Sequence, residues 1–162
     1  MQQDNYSILD TLLYLFDHII YEQKGNASLN EMQQTLNEAG FTEKTINRAL
    51  DWFVDLNDIQ QNHHFLQLPS QQSIRWFSAA EKQKISVESR GFINKLTQMH
   101  VIDAPLRETI IAKLMTLDES KLLLEDVMWV ALMSLYHRQD KVADREWLSH
   151  LLSDEISPAV FH

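Results

Sequence analysis

Apolar positions along this chain recur mostly at helical spacing, and the densest stretch is Val127 to Met133, where every residue is apolar. A helix with apolar side chains on all faces has to be wrapped by other elements. Glu125 and Asp126 before the run, and His137 and Arg138 after it, match the charge preferences of the two ends of a helix. The pattern predicts a central buried helix from about Glu125 to His137, with Trp129 as a structural anchor inside it. The run is far shorter than the roughly 20 apolar residues of a membrane span.

Upstream, a first helix is predicted from Ser7 to Tyr21, with Ile8, Leu12, Leu15 and Ile19 on one stripe and Leu9, Leu13, Phe16 and Ile20 on the next. Gly25-Asn26-Ala27 ends it. Ser28-Leu29-Asn30-Glu31 has the form of a capping box, so a second helix starts at Leu29 and turns Leu29, Met32 and Leu36 inward. Gly40 supplies a left-handed stop, with Phe41 packing back. Thr42 then caps a third helix, 43–56, in which Ile46, Ala49, Leu50 and Phe53 repeat at the spacing of an amphipathic helix. Trp52 lies beside that stripe and reads as a core anchor.

After Leu56-Asn57-Asp58 the pattern shortens. Ile59-Gln60, His64 to Leu68 and Ser73 to Phe77 read as extended pieces, with Pro69-Ser70-Gln71-Gln72 as a turn. Two antiparallel strands are expected, near Phe65 to Leu68 and Ile74 to Phe77. Three helices followed by a hairpin is the order of a winged helix-turn-helix, so residues 1–78 are predicted to form a winged-helix domain.

Ser78-Ala79-Ala80-Glu81 is a second capping box and returns the chain to helix. A break or bend is expected between Ser86 and Gly91, with Gly91 as an anchor where the helix bends or another element approaches. Asp103-Ala104-Pro105 opens a helix that turns Leu106, Ile110, Ile111, Leu114 and Leu117 inward. A last helix, from about Ala143 to Leu152, presents Trp147, Leu148 and Leu151. Residues 79–162 therefore read as a helical bundle packed on the first domain, and the whole chain as mostly α.

Composition supports this class, since three glycines and three prolines leave little material for a large sheet. The chain has no cysteine, which excludes disulfides and thiolate metal sites. Its first apolar run is interrupted by Asp10, Asp17 and His18 and has no basic flank, so no signal peptide is expected and the predicted location is the cytoplasm. Charge narrows the function classes further. The net charge is −9, from 14 basic and 23 acidic side chains, and both halves are acidic. Phosphate-driven binding depends on Lys and Arg, so this balance disfavours nucleic acid.

Several strings together resemble the bacterial Smg family. They are Tyr14-Leu15-Phe16, Gly40-Phe41, Ala49-Leu50 with Trp52, Arg90-Gly91-Phe92, Arg107-Glu108, and Leu124-Glu125-Asp126 followed by Trp129-Val130 and Leu132-Met133. The likeness spans nearly the whole chain and departs at Met128, where a lysine is usual. It implies a small cytoplasmic bacterial protein with no assigned activity, and hence no catalytic residues to carry over.

The remaining candidates for chemistry have structural explanations. His63 and His64 are adjacent, and adjacent residues on a strand face opposite sides, so they make a poor ligand pair. The other histidines lack the i, i+4 partner of a helical zinc site. Asp118-Glu119, Glu125-Asp126 and Asp154-Glu155 lie near helix ends, where the helix dipole accounts for them. The single glycine of Ser89-Arg90-Gly91 makes no phosphate loop. No catalytic residue, cofactor or metal ligand is expected.

Two function classes remain. A helix-turn-helix reader would set Thr42, Lys44, Asn47 and Arg48 into a DNA groove and use Arg75 on the wing. Glu43, Asp51, Asp55 and Asp58 on and after the same helix oppose that role. The favoured reading is a non-catalytic protein-interaction module, adaptor or regulatory, with an unknown protein partner; DNA or RNA binding is the alternative. An exposed tryptophan would mark a contact surface, and Trp76 and Trp147 are the candidates.

Overall fold

The computed structural model describes residues 6–22, 27–62, 75–136 and 138–156. The chain divides into two compact units, Met1–Asn57 and Asp58–His162, and the division falls inside a helix.

In the first unit, α1 (Ile8–Glu22) buries Leu9, Leu12, Leu15, Phe16 and Ile19 from the two stripes legible in the sequence, with Ile8 and Leu13 of those stripes half-buried. α2 (Leu29–Glu38) starts on the expected capping box: Glu31 N–H donates to Ser28 Oγ (3.2 Å), and Ser28 N–H donates to the Glu31 carboxylate (3.1 Å). Met32 and Leu36 are buried, whereas Leu29, expected inward, is exposed in the first turn. Gly40 has φ +99°. Phe41 N–H donates to Leu36 C=O and Gly40 N–H to Asn37 C=O, the two bonds of a Schellman stop. α3 (Glu43–Asn62) buries Ile46, Ala49, Trp52, Phe53 and Leu56. Phe53 meets Phe16 of α1 with ring centroids 5.1 Å apart. Each such fully buried side chain contributes on the order of 1.5–3 kcal/mol.

The second unit is organised around α7 (Leu124–Leu135), in which every residue from Val127 to Leu135 is buried. α5 (Val87–Gln98), α6 (Ala104–Met115) and α8 (Val142–Ile156) all pack against it, so the helix that is apolar all round is wrapped as expected. Trp129 is 5% exposed. α6 starts on Asp103, whose carboxylate accepts from Leu106 N–H at 2.8 Å. α4 (Ala79–Lys84) starts on the Ser78-Glu81 capping box. Lys84 joins three elements: its ammonium donates to Met115 C=O and Leu117 C=O at the end of α6, and its own carbonyl accepts from Leu122 N–H at 2.7 Å, just before α7. α5 also ends in a Schellman stop, with His100 in the glycine position at φ +61°. Histidine is among the few side chains that visit this region with some frequency.

The winged-helix prediction is overturned. Among the described residues all regular structure is helical, and the β pairing found is an isolated parallel bridge between Ile85 and Leu122. α3 continues to Asn62, through the residues that read as a turn and an extended piece. No Gly or Pro interrupts Glu43 to Asn62. Asn57, which read as a turn former, donates its amide to Phe53 C=O (3.0 Å) along the same helix. Arg75-Trp76-Phe77 is irregular, not a strand. The strand expected at 65–68 and its turn lie outside the described residues.

The break expected between Ser86 and Gly91 falls at the start of that window, at Ile85-Ser86 between α4 and α5. Gly91 itself is mid-helix and exposed, with nothing within 4 Å of where a Cβ would stand. No bend or close approach requires glycine there. Gly91→Ala is therefore expected to stabilise the protein by about 0.5–1 kcal/mol, the helix preference of alanine over glycine. Chemical denaturation monitored by circular dichroism checks this, and a loss of stability would reveal a contact that the fold does not show.

Candidate functional site

Arg75 stands just before α4, and its side chain ties that segment to two helices. Arg75 Nε lies 2.7 Å from Glu108 Oε2 on α6, and its terminal nitrogens donate to both oxygens of Glu81 on α4, at 2.9 and 3.1 Å. The guanidinium also donates to the Trp76 carbonyl (3.2 Å) and lies 4.9 Å from the Phe77 ring centre, with Arg90 of α5 6.0 Å from that same centre. Glu81 serves twice, because it also accepts from Ser78 N–H in the capping box. Arg107, buried on α6, adds a donor to Glu108 at 3.0 Å.

The ion pairs tune one another. Hydrogen bonding from Arg75 lowers the Glu81 carboxyl below its ordinary range against the cost of burial. Burial raises the Glu108 carboxyl, but the hydrogen bonds from Arg75 and Arg107 outweigh it and the net direction is down. For Arg75, burial lowers and the Glu81 and Glu108 bonds raise, with a net rise. All three groups are thus held charged across the physiological range.

Arg75 and Phe77 are pinned to the protein, and Trp76 between them is 86% exposed. The arrangement presents a large aromatic ring to solvent on a backbone already fixed on both sides.

A family model described as Protein of unknown function (DUF494) matches residues 8–161. A Protein Smg homolog from Nitrosococcus oceani is 36% identical over 152 residues, covering 93% of this chain and 96% of that protein. Proteins of the same description from Shewanella woodyi and Dichelobacter nodosus are 35% identical (91% and 96% covered) and 36% identical (92% and 94% covered). The chain belongs to the Smg family. No solved structure matches it.

In this Smg-family chain the residues singled out from sequence fall in different places. Thr42 caps α3, its hydroxyl accepting from Thr45 N–H at 3.3 Å. Lys44, Asn47 and Arg48 are exposed on α3, and Glu43, Asp51, Asp55 and Asp58 are exposed on that helix with them. Arg75 belongs to the other unit, and its guanidinium is occupied by Glu81 and Glu108. Trp52 and Trp129 are buried, at 6% and 5% exposure. Trp147 is half-buried on α8. His63 and His64 lie outside the described residues. Among the described residues no group of three or more His, Cys, Asp or Glu side chains could hold a metal ion, and no helix is long and apolar enough to cross a membrane.

Sequence reasoning missed three features. It put Arg75 on a wing, and nothing local points to Glu108 as its partner. It left Lys113 outside the core stripe of α6, yet Lys113 is buried. An open depression of about 370 Å³ between α2 and α3, lined by Asn30, Gln33, Gln34, Asn37, Glu43 and Ile46, was also not foreseen. Its amides carry no periodic signal.

Proposed function

We propose that this Smg-family protein is a non-catalytic protein-interaction module, adaptor or regulatory, that engages a protein partner through Trp76. The observation that carries this reading is the 86% exposure of Trp76 on a segment clamped by Arg75 and Phe77. Tryptophan is enriched at binding hot spots because it buries a large rigid area at little entropic cost. A backbone fixed beforehand lowers that cost further. Charge supports a protein partner over nucleic acid. The exposed cations of α3 share their helix with exposed carboxylates, and Arg75 is already paired.

Full-length protein and Trp76→Ala are compared as bait in crosslinked pull-downs with and without nuclease, alongside titration of labelled duplex DNA. The expected result is a nuclease-resistant protein partner that Trp76→Ala loses, and no appreciable DNA affinity at about 150 mM salt. The same partners retained by Trp76→Ala would remove Trp76 from the reading. Submicromolar DNA binding abolished by Lys44→Glu/Arg48→Glu would replace the interaction module with a DNA reader.

A further inference from the structure

The first unit carries a row of aromatic rings on its surface. Tyr6 and Tyr14 both meet Phe41 at a tilt, with centroids 5.1 and 5.3 Å away, and His18 stacks on Tyr14 at 6.1 Å with planes 9° apart. Tyr6 is 57% and Tyr14 43% exposed, so the rings face solvent while supporting one another. Their placement is built in by the backbone. Tyr14 and His18 stand one turn apart on α1, and the Gly40 stop holds Phe41 between the tyrosines through its bond to Leu36 C=O.

The Asp and Glu side chains of α1 are matched by no Lys or Arg on that helix. Asp10 and Asp17 are exposed on the same stripe of α1 as Tyr14, one turn before it and one turn after. α1 contains no Lys or Arg, and in residues 1–57 only Lys24, Lys44 and Arg48 are basic. Phosphate is repelled by such a face, whereas a cation is drawn both to the carboxylates and to the negative faces of the rings. An extended chain laid along the row can place apolar groups against the rings and a guanidinium over Tyr14 between the two aspartates.

We propose that the Tyr6, Phe41, Tyr14 and His18 surface, with Asp10 and Asp17, docks an extended, arginine-bearing segment of a protein partner. The site shares no residue with the Trp76 surface. The probe is a labelled Arg-Pro repeat peptide of about ten residues, whose pre-extended backbone limits the entropy lost on binding. It is titrated into the full chain by fluorescence anisotropy and by NMR of the aromatic side chains, beside a Glu-Pro repeat and an oligo-dT strand of equal length.

The expected result is saturable binding of the Arg-Pro peptide below about 1 mM, with shifts centred on Tyr6, Tyr14, His18 and Phe41. Tyr14→Ala and Asp10→Asn/Asp17→Asn should each weaken it by roughly tenfold, within the range of cation–π contacts and charge pairs. Asp10 also accepts from Ser7 N–H at 3.2 Å at the start of α1, a bond that an amide oxygen can keep, so the double asparagine variant keeps every ring and tests the charges even if Tyr14→Ala disturbs the fold. Trp76→Ala should bind as the wild type does, which separates this site from the one proposed above. Absence of saturable binding, equal binding of the Glu-Pro peptide, or binding untouched by both variants would overturn the proposal. Tighter binding of oligo-dT through the same rings would also overturn it and assign the row to single-stranded nucleic acid.

Discussion

Trp129→Ala is expected to cost about 3–5 kcal/mol, the range for removing a large buried aromatic. Trp129 is 5% exposed, in a helix whose neighbours on every face are buried and which α5, α6 and α8 all pack against. The cavity therefore opens at the centre of the second unit, where no single neighbour can close it without disturbing another. For a chain of this size each kcal/mol shifts the melting temperature by roughly 2–4 °C, so a drop of at least about 6 °C should appear in thermal melts. An unchanged melting temperature would mean that α7 is not the organising helix of this unit.

Arg75→Met is expected to cost about 1.5–3 kcal/mol, because hydrogen bonds to charged groups that are partly buried are lost and two carboxylates are left short of a donor. Methionine replaces the aliphatic stem, and the group that lies over Phe77 is the guanidinium itself, so the loss reports on the guanidinium more than on packing. The sign of the pH dependence follows from the carboxyls. Glu81 and Glu108 have folded pKa values below their ordinary 4.5, so their contribution is complete above that pH and is lost as pH falls through the lowered values. The stability gap between wild type and Arg75→Met should hold steady from neutral pH to about 4.5 and shrink below it. Urea titrations of both proteins at a series of pH values measure the gap. A gap that is absent at neutral pH, or that widens in acid, would contradict the ion-pair assignment. The same variant frees the backbone that presents Trp76, so a partner held there should bind it more weakly.

The elements legible in the sequence were those whose signals are local. Both capping boxes, the Asp103 cap, the glycine stop at Gly40 and the all-apolar run of α7 each depend on residues within a turn or two of one another, and each stands where the pattern put it. The wing was misread because Asn57 and Asp58 favour turns in isolation, while in the folded chain Asn57 bonds along α3 and the helix runs on. Leu29 was misread for a related reason: helical spacing assigns it to the inner stripe, but it sits in the first turn, where the face is not yet covered.

The candidate surfaces were only half legible. Trp76 could be named as a possible contact residue from its type, and Tyr14 and Phe41 appear among the strings that resemble the family. Their neighbours could not be inferred. Arg75 finds Glu108 33 residues along the chain, and Phe41 sits between Tyr6 and Tyr14 from the turn between α2 and α3. By itself the sequence determined a mostly helical protein of the Smg family, with its helix starts, stops and acidic balance, because propensity, capping and charge act over short distances or by simple addition. Only the tertiary structure decided that Arg75 is held by two carboxylates, that Trp76 beside it stands exposed, and that four aromatic rings form one row beside Asp10 and Asp17. Those pairings depend on how helices distant in sequence come together, and no local pattern encodes a partner tens of residues away.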